Sequence, residues 1–247
     1  ARHTLQLAAQ ASPDYCFPHQ NEAVVVLEWA KQENPKDPKA PYYLGNFWYH
    51  VKNYEAAVSN WELSAQLDDL FPIVHRNLAL AYFNKQDDPV RALQELEKAF
   101  SLDAEARVLM ELDQLYKRLN HTPEERLQVL ERYLSLVEQR DDLYLERATL
   151  YNLTGQHQKD YDLIMSRKFH LWEGEEGKVT GQYVVSLTEM AKQAIEQGEF
   201  RQAVEWLTRA QTYPENLGEG KLAGAQENEL FYWLGVAYEG LGEKEQA

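Results

Sequence analysis

The sequence has only one cysteine, Cys16, and this scarcity excludes an internal disulfide. The fold must therefore rest on packing, which suits a reducing compartment. Long apolar runs are also missing: the longest, residues 23–27, falls far short of the roughly 18 apolar residues of a membrane-spanning helix. The first residues lack the basic-then-apolar pattern of an export signal. We therefore expect a cytoplasmic protein that does not associate with membranes.

Basic residues are too few to balance the acidic ones. The chain has 25 Lys and Arg against 40 Asp and Glu, a net charge of -15 at pH 7. Such a charge opposes non-specific binding to phosphate backbones and to anionic lipid. Nucleic acid is therefore excluded from the expected partners.

Catalytic motifs are absent as well. The sequence has no H-E-x-x-H pair, no paired cysteines, no EF-hand spacing and no Gly-rich phosphate loop. Cys16 lies close to His19, but no third group is evident to orient a base, so we interpret Cys16 as a buried structural thiol. We expect no enzymatic activity and no cofactor.

One short segment, residues 170–176, does bring possible metal ligands together. It contains His170, Glu173, Glu175 and Glu176 among glycines. An imidazole and three carboxylates could bind a metal ion. The simpler interpretation is a solvated turn with a tryptophan beneath it, so we predict no metal site.

What the sequence does contain is a repeat. A leucine followed by a mostly small residue, with an aromatic residue one turn later, recurs at Leu44, Leu78 and Leu112, in two steps of 34 residues. Gly45 and Ala57 occupy positions where paired helices cross and longer side chains would separate them. Lys52-Asn53 marks the break between two helices.

These aligned positions resemble the tetratricopeptide repeat (TPR) family, and the resemblance covers almost the whole chain. It implies an all-α fold, a right-handed superhelical solenoid of antiparallel helix pairs. We predict a partial repeat over residues 1–36, four repeats over 37–168, a Trp/Gly-rich loop over 169–182, and two further repeats over 183–247. The last of these is truncated at the chain end, where we expect fraying or self-association.

Two segments interrupt the period: the loop within 169–182 and an insertion at 214–224. Both follow the second helix of a repeat, so a solenoid places them on one edge, where they can touch. Their combination with the repeats resembles the carboxy-terminal part of bacterial DUF5107-domain proteins, which are larger than this chain. We regard Trp172, Glu173 and Leu217 as a secondary loop site.

The exposed faces of the first helices carry the main candidate site. In this family that face lines the concave side, and its residues follow an i, i+4, i+7 spacing. The mixture of aromatic, amide and basic side chains is typical of a recognition surface. The predicted binding residues are Tyr42, Asn46, Tyr49, His50, Arg76, Phe83, Met110, Gln114 and Lys117.

Some TPR domains grip the terminal carboxylate of a chaperone peptide with lysine, asparagine and arginine side chains. This sequence resembles that clamp at Asn46, Asn77 and Arg107. It departs from it at Tyr42 and Glu111, where an aromatic ring and a like charge would face the carboxylate. Binding of a chaperone tail is therefore not expected.

Two functions remain open. The first is a scaffold that binds a protein or peptide, with some acidic character, in the concave groove. The second is an accessory module of a carbohydrate-active multidomain protein, in which an upstream domain of the same chain covers the groove or the two loops. The sequence upstream of residue 1 distinguishes them, because repeats alone do not identify a ligand.

Overall fold

The computed structural model describes residues 2–13, 16–170, 176–243 and 245–246. These residues form fourteen α-helices and one short 3-10 helix, and none of them lies in a strand. The predicted all-α class is confirmed. No helix among the described residues combines the length and the apolar character needed to cross a membrane.

The chain divides into two compact units, Ala1–Leu119 (unit 1) and Asn120–Ala247 (unit 2). The helices of unit 1 are α1 (Arg2–Gln10), α2 (Asn21–Glu33), α3 (Lys39–His50), α4 (Tyr54–Leu67), α5 (Pro72–Gln86), α6 (Pro89–Leu102) and α7 (Ala106–Arg118).

The helices of unit 2 are α8 (Pro123–Arg132), α9 (Leu134–Val137), α10 (Asp141–Leu153), α11 (His157–Met165), α12 (Lys178–Glu196), α13 (Phe200–Arg209) and α14 (Asn228–Leu241). A 3-10 helix, Glu215–Leu217, lies between α13 and α14.

Unit 1 is built from antiparallel helix pairs, α3 with α4 and α5 with α6, followed by α7. The repeated leucines Leu44, Leu78 and Leu112 are all buried in its core. Gly45 explains the close crossing of the first pair, because a Cβ added there would lie 2.3 Å from the ring of Trp61. The predicted reason for the small-residue position is therefore confirmed.

The break predicted at Lys52-Asn53 is also confirmed. Lys52 adopts a left-handed conformation with φ of 64°, which ends α3. The side chain of Asn53 accepts a hydrogen bond from the backbone N–H of Ala56 at 3.2 Å and so caps the first turn of α4. A turn residue and a cap together reverse the chain within a few residues.

In unit 2, the described parts of the two interrupting segments do touch. The N–H of Phe169 donates to the carbonyl of Asn216 at 2.8 Å. The Asn216 amide donates to the carbonyls of Ile164 and Arg167 at 3.0 and 3.1 Å. Contact between the two segments was expected from their place in the repeats.

The start of α12 differs from the expectation of a loop over residues 169–182. The helix begins at Lys178 because its N-terminus has an acceptor from the distant segment. The carboxylate of Glu219 accepts hydrogen bonds from the backbone N–H of Gly177 at 2.8 Å and of Thr180 at 3.3 Å, and from the Thr180 hydroxyl at 3.1 Å. A carboxylate at this position satisfies free N–H groups and matches the helix dipole.

The burial predicted for Cys16 is wrong. Its thiol is exposed, in the segment between α1 and α2. Its N–H donates to the carbonyl of Pro13 at 3.2 Å, and its side chain forms a hydrogen bond with Tyr43. Cys16 lines a surface groove with Phe17, Val26 and Tyr43 and does not enter the core.

Candidate functional site

The candidate site is a groove between α5 and α7 of unit 1, which we call the first groove. Its volume is about 220 Å³. Buried residues of the repeat core form its base, namely Ala79, Leu96 and Leu115. Phe83 of α5 and Met110 of α7 form apolar walls that are partly exposed. A preformed apolar surface of this kind accepts a side chain of a partner with little rearrangement.

One end of the first groove carries a positive charge. The guanidinium of Arg118 lies over the ring of Phe83, with the Cζ atom 5.3 Å from the ring centroid. Arg118 forms no ion pair with any residue that the structure describes. Stacking orients a guanidinium while leaving its N–H donors free for a carboxylate.

A second excess of positive charge lies at the polar side of the first groove. The carboxylate of Glu111 accepts two hydrogen bonds from Arg76, one of them from Nε at 2.7 Å. The Nε atom of Arg107 also lies 3.3 Å from Glu111. One carboxylate between two guanidinium groups leaves a net charge of plus one.

Asn46 fixes a polar position on α3. Its Oδ1 atom accepts from Trp61 Nε1 at 3.1 Å and from the amide of Asn77 at 3.2 Å. Exchanging the amide oxygen and nitrogen would place three donors together, so the orientation is determined. The Nδ2 group of Asn46 is buried and has no hydrogen-bond partner. An unsatisfied buried donor costs free energy.

The structure separates the predicted binding residues. Phe83, Met110 and Gln114 line the first groove together. Tyr42 does not belong to an exposed surface: it is 1% exposed, and its ring packs on Tyr43 and Phe71 with centroids 5.2 and 5.0 Å away. Tyr42 lies four residues before Asn46 on α3, at the point where this helix crosses its neighbour, so its side chain belongs to the core.

The remaining predicted residues lie outside the first groove. Tyr49 is half-buried and its ring packs against Trp61, with centroids 5.4 Å apart. His50 and Lys117 are exposed. Arg76 is held by Glu111, so it does not supply the free positive charge that the sequence suggested.

The secondary loop site needs correction at Leu217, which is 1% exposed and lies in the core of unit 2. It is buried because the 3-10 helix inserts it beneath the segment that holds Phe169. Trp172 and Glu173 lie outside the described residues, as does Glu175 of the possible metal ligands. The described residues contain no group of three or more side chains suited to hold a metal ion.

Arg118 is the residue that sequence reasoning missed. The predicted binding residues on α7 are Met110, Gln114 and Lys117, with a last step of three residues. A step of four residues from Gln114 leads to Arg118 instead. The structure places Arg118, and not Lys117, in the first groove. The signal was present in the sequence, since both steps share a helical face, but only the packing of α7 against α5 decides between them.

With this geometry described, comparison with solved structures gives the fold. One similar structure is YrrB, described as a TPR protein with an unusual peptide-binding site: the TM-score is 0.54 and the identity 17%, over 76% of this chain and 91% of that one. The fold is that of the tetratricopeptide repeat. A chain of the Naa15/Naa10 structure bound to HypK-THB is also similar, with a TM-score of 0.61 and 13% identity. That alignment covers 99% of this chain but only 34% of the other.

No family model matches the sequence. The resemblance to DUF5107-domain proteins therefore stays a prediction, and so does the bacterial origin that it implies. The identities to the TPR structures are low enough that they show the fold alone. What this chain binds has to be argued from its own residues.

Proposed function

We propose that this chain is a protein-interaction scaffold whose first groove binds a polypeptide segment that combines an apolar side chain with an acidic one. The observation that carries the proposal is the apolar groove of about 220 Å³ between α5 and α7, with Arg118 stacked at its end. It is a non-enzymatic function, in which the chain positions a partner.

The apolar half of the proposal comes from Phe83 and Met110. Phe83 is only partly covered and offers a rigid ring, which gives contact area at a low cost in conformational entropy. Met110 is flexible and adapts to the shape of an inserted side chain. Such anchors at the centre of a contact surface carry most of the binding free energy.

The acidic half comes from the local balance of charge. Arg118 has no carboxylate partner among the described residues, and Glu111 neutralises only one of two arginines beside it. Both features stand out in a chain of net charge -15. A carboxylate of the partner would form charge-assisted hydrogen bonds at Arg118. Local complementarity of this kind favours specificity and orientation.

The similar structures support the general part of this proposal, which is a protein-interaction function. YrrB is described by its peptide-binding site, and the Naa15/Naa10 assembly is bound to HypK-THB. The alternative, an accessory module whose groove is covered by an upstream domain, uses the same surface. In that alternative the chain belongs to a carbohydrate-active multidomain protein, and the upstream domain covers the first groove or the two interrupting segments.

The test uses two short acetylated peptides of equal length, one alternating Leu with Glu and the other alternating Leu with Lys. We expect the acidic peptide to bind and to shift amide resonances of α5 and α7. Truncation of Phe83 to Ala should weaken this binding by on the order of 2 kcal/mol, about 30-fold in Kd. Arg118→Gln should reduce the preference of the first groove for the acidic over the basic peptide, as read from the amide shifts of α5 and α7.

The matched control is Phe17→Ala, which removes a phenylalanine that is exposed outside the first groove. Circular dichroism must show all variants folded. Equal binding of the acidic peptide to Phe83→Ala and to the parent chain would refute the proposed site. If the acidic and the basic peptide shifted the α5 and α7 amides of the parent chain equally, the role of Arg118 would be refuted.

A further inference from the structure

Unit 2 contains a second and larger groove, which no sequence feature predicted. It lies between α12, the segment that follows α13, and the start of α14, and its volume is about 540 Å³. Val184 and Val185 of α12 line one side, and Leu222 of the connecting segment lines the other. Val185 and Leu222 are 42% and 41% exposed, so apolar surface faces solvent across the groove.

Thr188 gives this groove an unusual polar feature. It lines the groove and is 5% exposed, yet its hydroxyl has no hydrogen-bond partner. Other threonines of this unit have partners: the Thr149 hydroxyl donates to the carbonyl of Leu145 at 2.9 Å, and the Thr180 hydroxyl donates to Glu219 at 3.1 Å. A buried hydroxyl without such a partner costs free energy, which a ligand group could recover.

The charges around the second groove are the reverse of those at the first. Glu189 and Glu229 line it, and they share a single cation, Lys192, whose Nζ lies 2.6 and 2.5 Å from their carboxylates. The hydrogen bond from Lys192 keeps the pKa of Glu229 below its usual range, so this carboxylate is ionised at neutral pH. One ammonium between two carboxylates leaves a net charge of minus one. The lining also contains Glu176, Lys178 and Glu227, and Glu227 pairs with Lys221, so these groups together add no further charge.

We propose that the second groove binds a polypeptide segment in which a Lys or Arg side chain is flanked by apolar residues. The cation completes the neutralisation of Glu189 and Glu229. The apolar neighbours cover Val185 and Leu222, and a backbone group reaches the hydroxyl of Thr188. This site is independent of the first groove and of the function proposed for it.

The size and lining of the groove fit this occupant. A volume of about 540 Å³ exceeds what a single side chain fills and lies within the usual range of ligand sites, roughly 300 to 1,000 Å³. The lining combines apolar side chains with charged and hydroxyl groups, which suits alternating apolar and basic side chains. An acidic segment would meet repulsion from the excess carboxylate, in addition to the overall charge of -15.

The decisive variant is Gly181→Leu. Gly181 is a helical residue of α12 that lines the groove, and a Cβ added there meets nothing within 4 Å. Leucine is also a better helix former than glycine. The variant should therefore fold as well as the parent chain while filling the groove. We expect it to weaken binding of the Leu/Lys peptide at least about tenfold, as measured by fluorescence anisotropy and by amide shifts in α12 and α14.

Two further variants test the polar contacts. Thr188→Val keeps the shape and removes the hydroxyl, and should weaken binding about fivefold without loss of stability. Glu229→Gln leaves Lys192 with one carboxylate. It should weaken binding of the basic peptide about two- to fivefold and leave binding of an uncharged Leu/Gln peptide unchanged. The control is Gly220→Leu, which adds the same side chain in open space outside the groove lining.

The outcomes separate this proposal from the function proposed above. Shifts in α12 and α14 with the basic peptide, lost in Gly181→Leu and kept in Phe83→Ala, support the second groove whatever happens at the first. The proposal is overturned if the basic peptide fails to bind, if Gly181→Leu binds it like the parent, or if the acidic peptide binds unit 2 equally well.

Discussion

At the scale of single residues, the carboxyl of Asp160 in unit 2 is strongly perturbed by its surroundings. It is fully buried, and burial raises its pKa to about 7. The amide of Asn152 donates to its Oδ2 atom at 2.8 Å, and the hydroxyl of Ser186 donates to the same atom. No donor reaches Oδ1. Two hydrogen bonds on one oxygen do not compensate for a buried charge.

This environment makes the stability of the protein depend on pH. The folded state keeps the proton of Asp160 up to about pH 7, while the unfolded chain loses it near pH 3.8. The free energy of unfolding should therefore fall as pH rises between these values, by up to about 1.4 kcal/mol per pH unit from this group. In Asp160→Asn, the amide oxygen can accept the hydrogen bonds from Asn152 and Ser186. This variant should remove the contribution of Asp160 to the pH dependence of stability.

The measurement is the thermal unfolding midpoint of both chains across the pH range from the unfolded to the folded pKa. Asp162→Asn is the control, because Asp162 lies on the same helix but is exposed. Parallel curves for the parent and Asp160→Asn would show that the carboxyl is ionised at no cost in the folded protein.

Two helical glycines give a second prediction at this scale, because the same substitution should act in opposite directions. At Gly45 a methyl group would lie 2.3 Å from the buried ring of Trp61, so Gly45→Ala should destabilise by about 1 to 3 kcal/mol. At Gly181 the space is open, so Gly181→Ala should stabilise by up to about 1 kcal/mol. Denaturant midpoints measure both, and stabilisation by Gly45→Ala would contradict the close crossing of α3 and α4.

At the scale of elements, the contact between Glu219 and the start of α12 connects segments about forty residues apart. The carboxylate serves two backbone N–H groups and one hydroxyl, at the N-terminus of the longest helix in the described chain. Gly218, with φ of 76°, lies so close to the carbonyl of Phe169 that a Cβ would approach it to 2.7 Å. The segment is therefore fitted to its position, although it interrupts the repeat.

Replacement of Glu219 by Gln should loosen this element. The Gln side chain keeps one acceptor oxygen but loses the other, together with the negative charge at the helix N-terminus. The free energy of unfolding should fall by about 0.5 to 2 kcal/mol. Amide hydrogen exchange should quicken most at Gly177 and Thr180. Glu215→Gln, in the same segment but exposed and without a side-chain hydrogen bond to any described residue, should leave exchange at these amides unchanged. Equal effects of the two variants would show that only net charge matters.

The helix pairs were predictable from the sequence, whereas these segments were not. Leu44, Leu78 and Leu112 recur with a fixed period because each packs in an equivalent local environment, so their burial follows from helical spacing alone. The role of Glu219 depends on a contact between distant segments, for which no local pattern exists. The candidate site shows the same limit: Phe83 and Met110 follow from spacing, but the burial of Tyr42 depends on a neighbouring helix.

At the scale of the whole molecule, the two grooves have opposite local charges in a chain of net charge -15. At the first groove, Arg118 and the surplus of arginine over Glu111 act against the overall field. At the second, the surplus of carboxylates around Lys192 acts with it. Long-range attraction should thus favour a basic segment, while an acidic segment gains only from contacts within the first groove.

Salt should therefore affect the two peptides differently. Raising ionic strength from about 0.01 M to about 1 M shortens the Debye length from ~30 Å to ~3 Å, which removes the long-range field before it weakens contacts within a groove. The Leu/Lys peptide should lose affinity throughout. The Leu/Glu peptide loses some local attraction but is also freed from repulsion by the excess negative charge, so its affinity should change less. Anisotropy titrations of both peptides at the two limits measure this, and a larger loss for the acidic peptide would contradict the assignment of charges to the grooves.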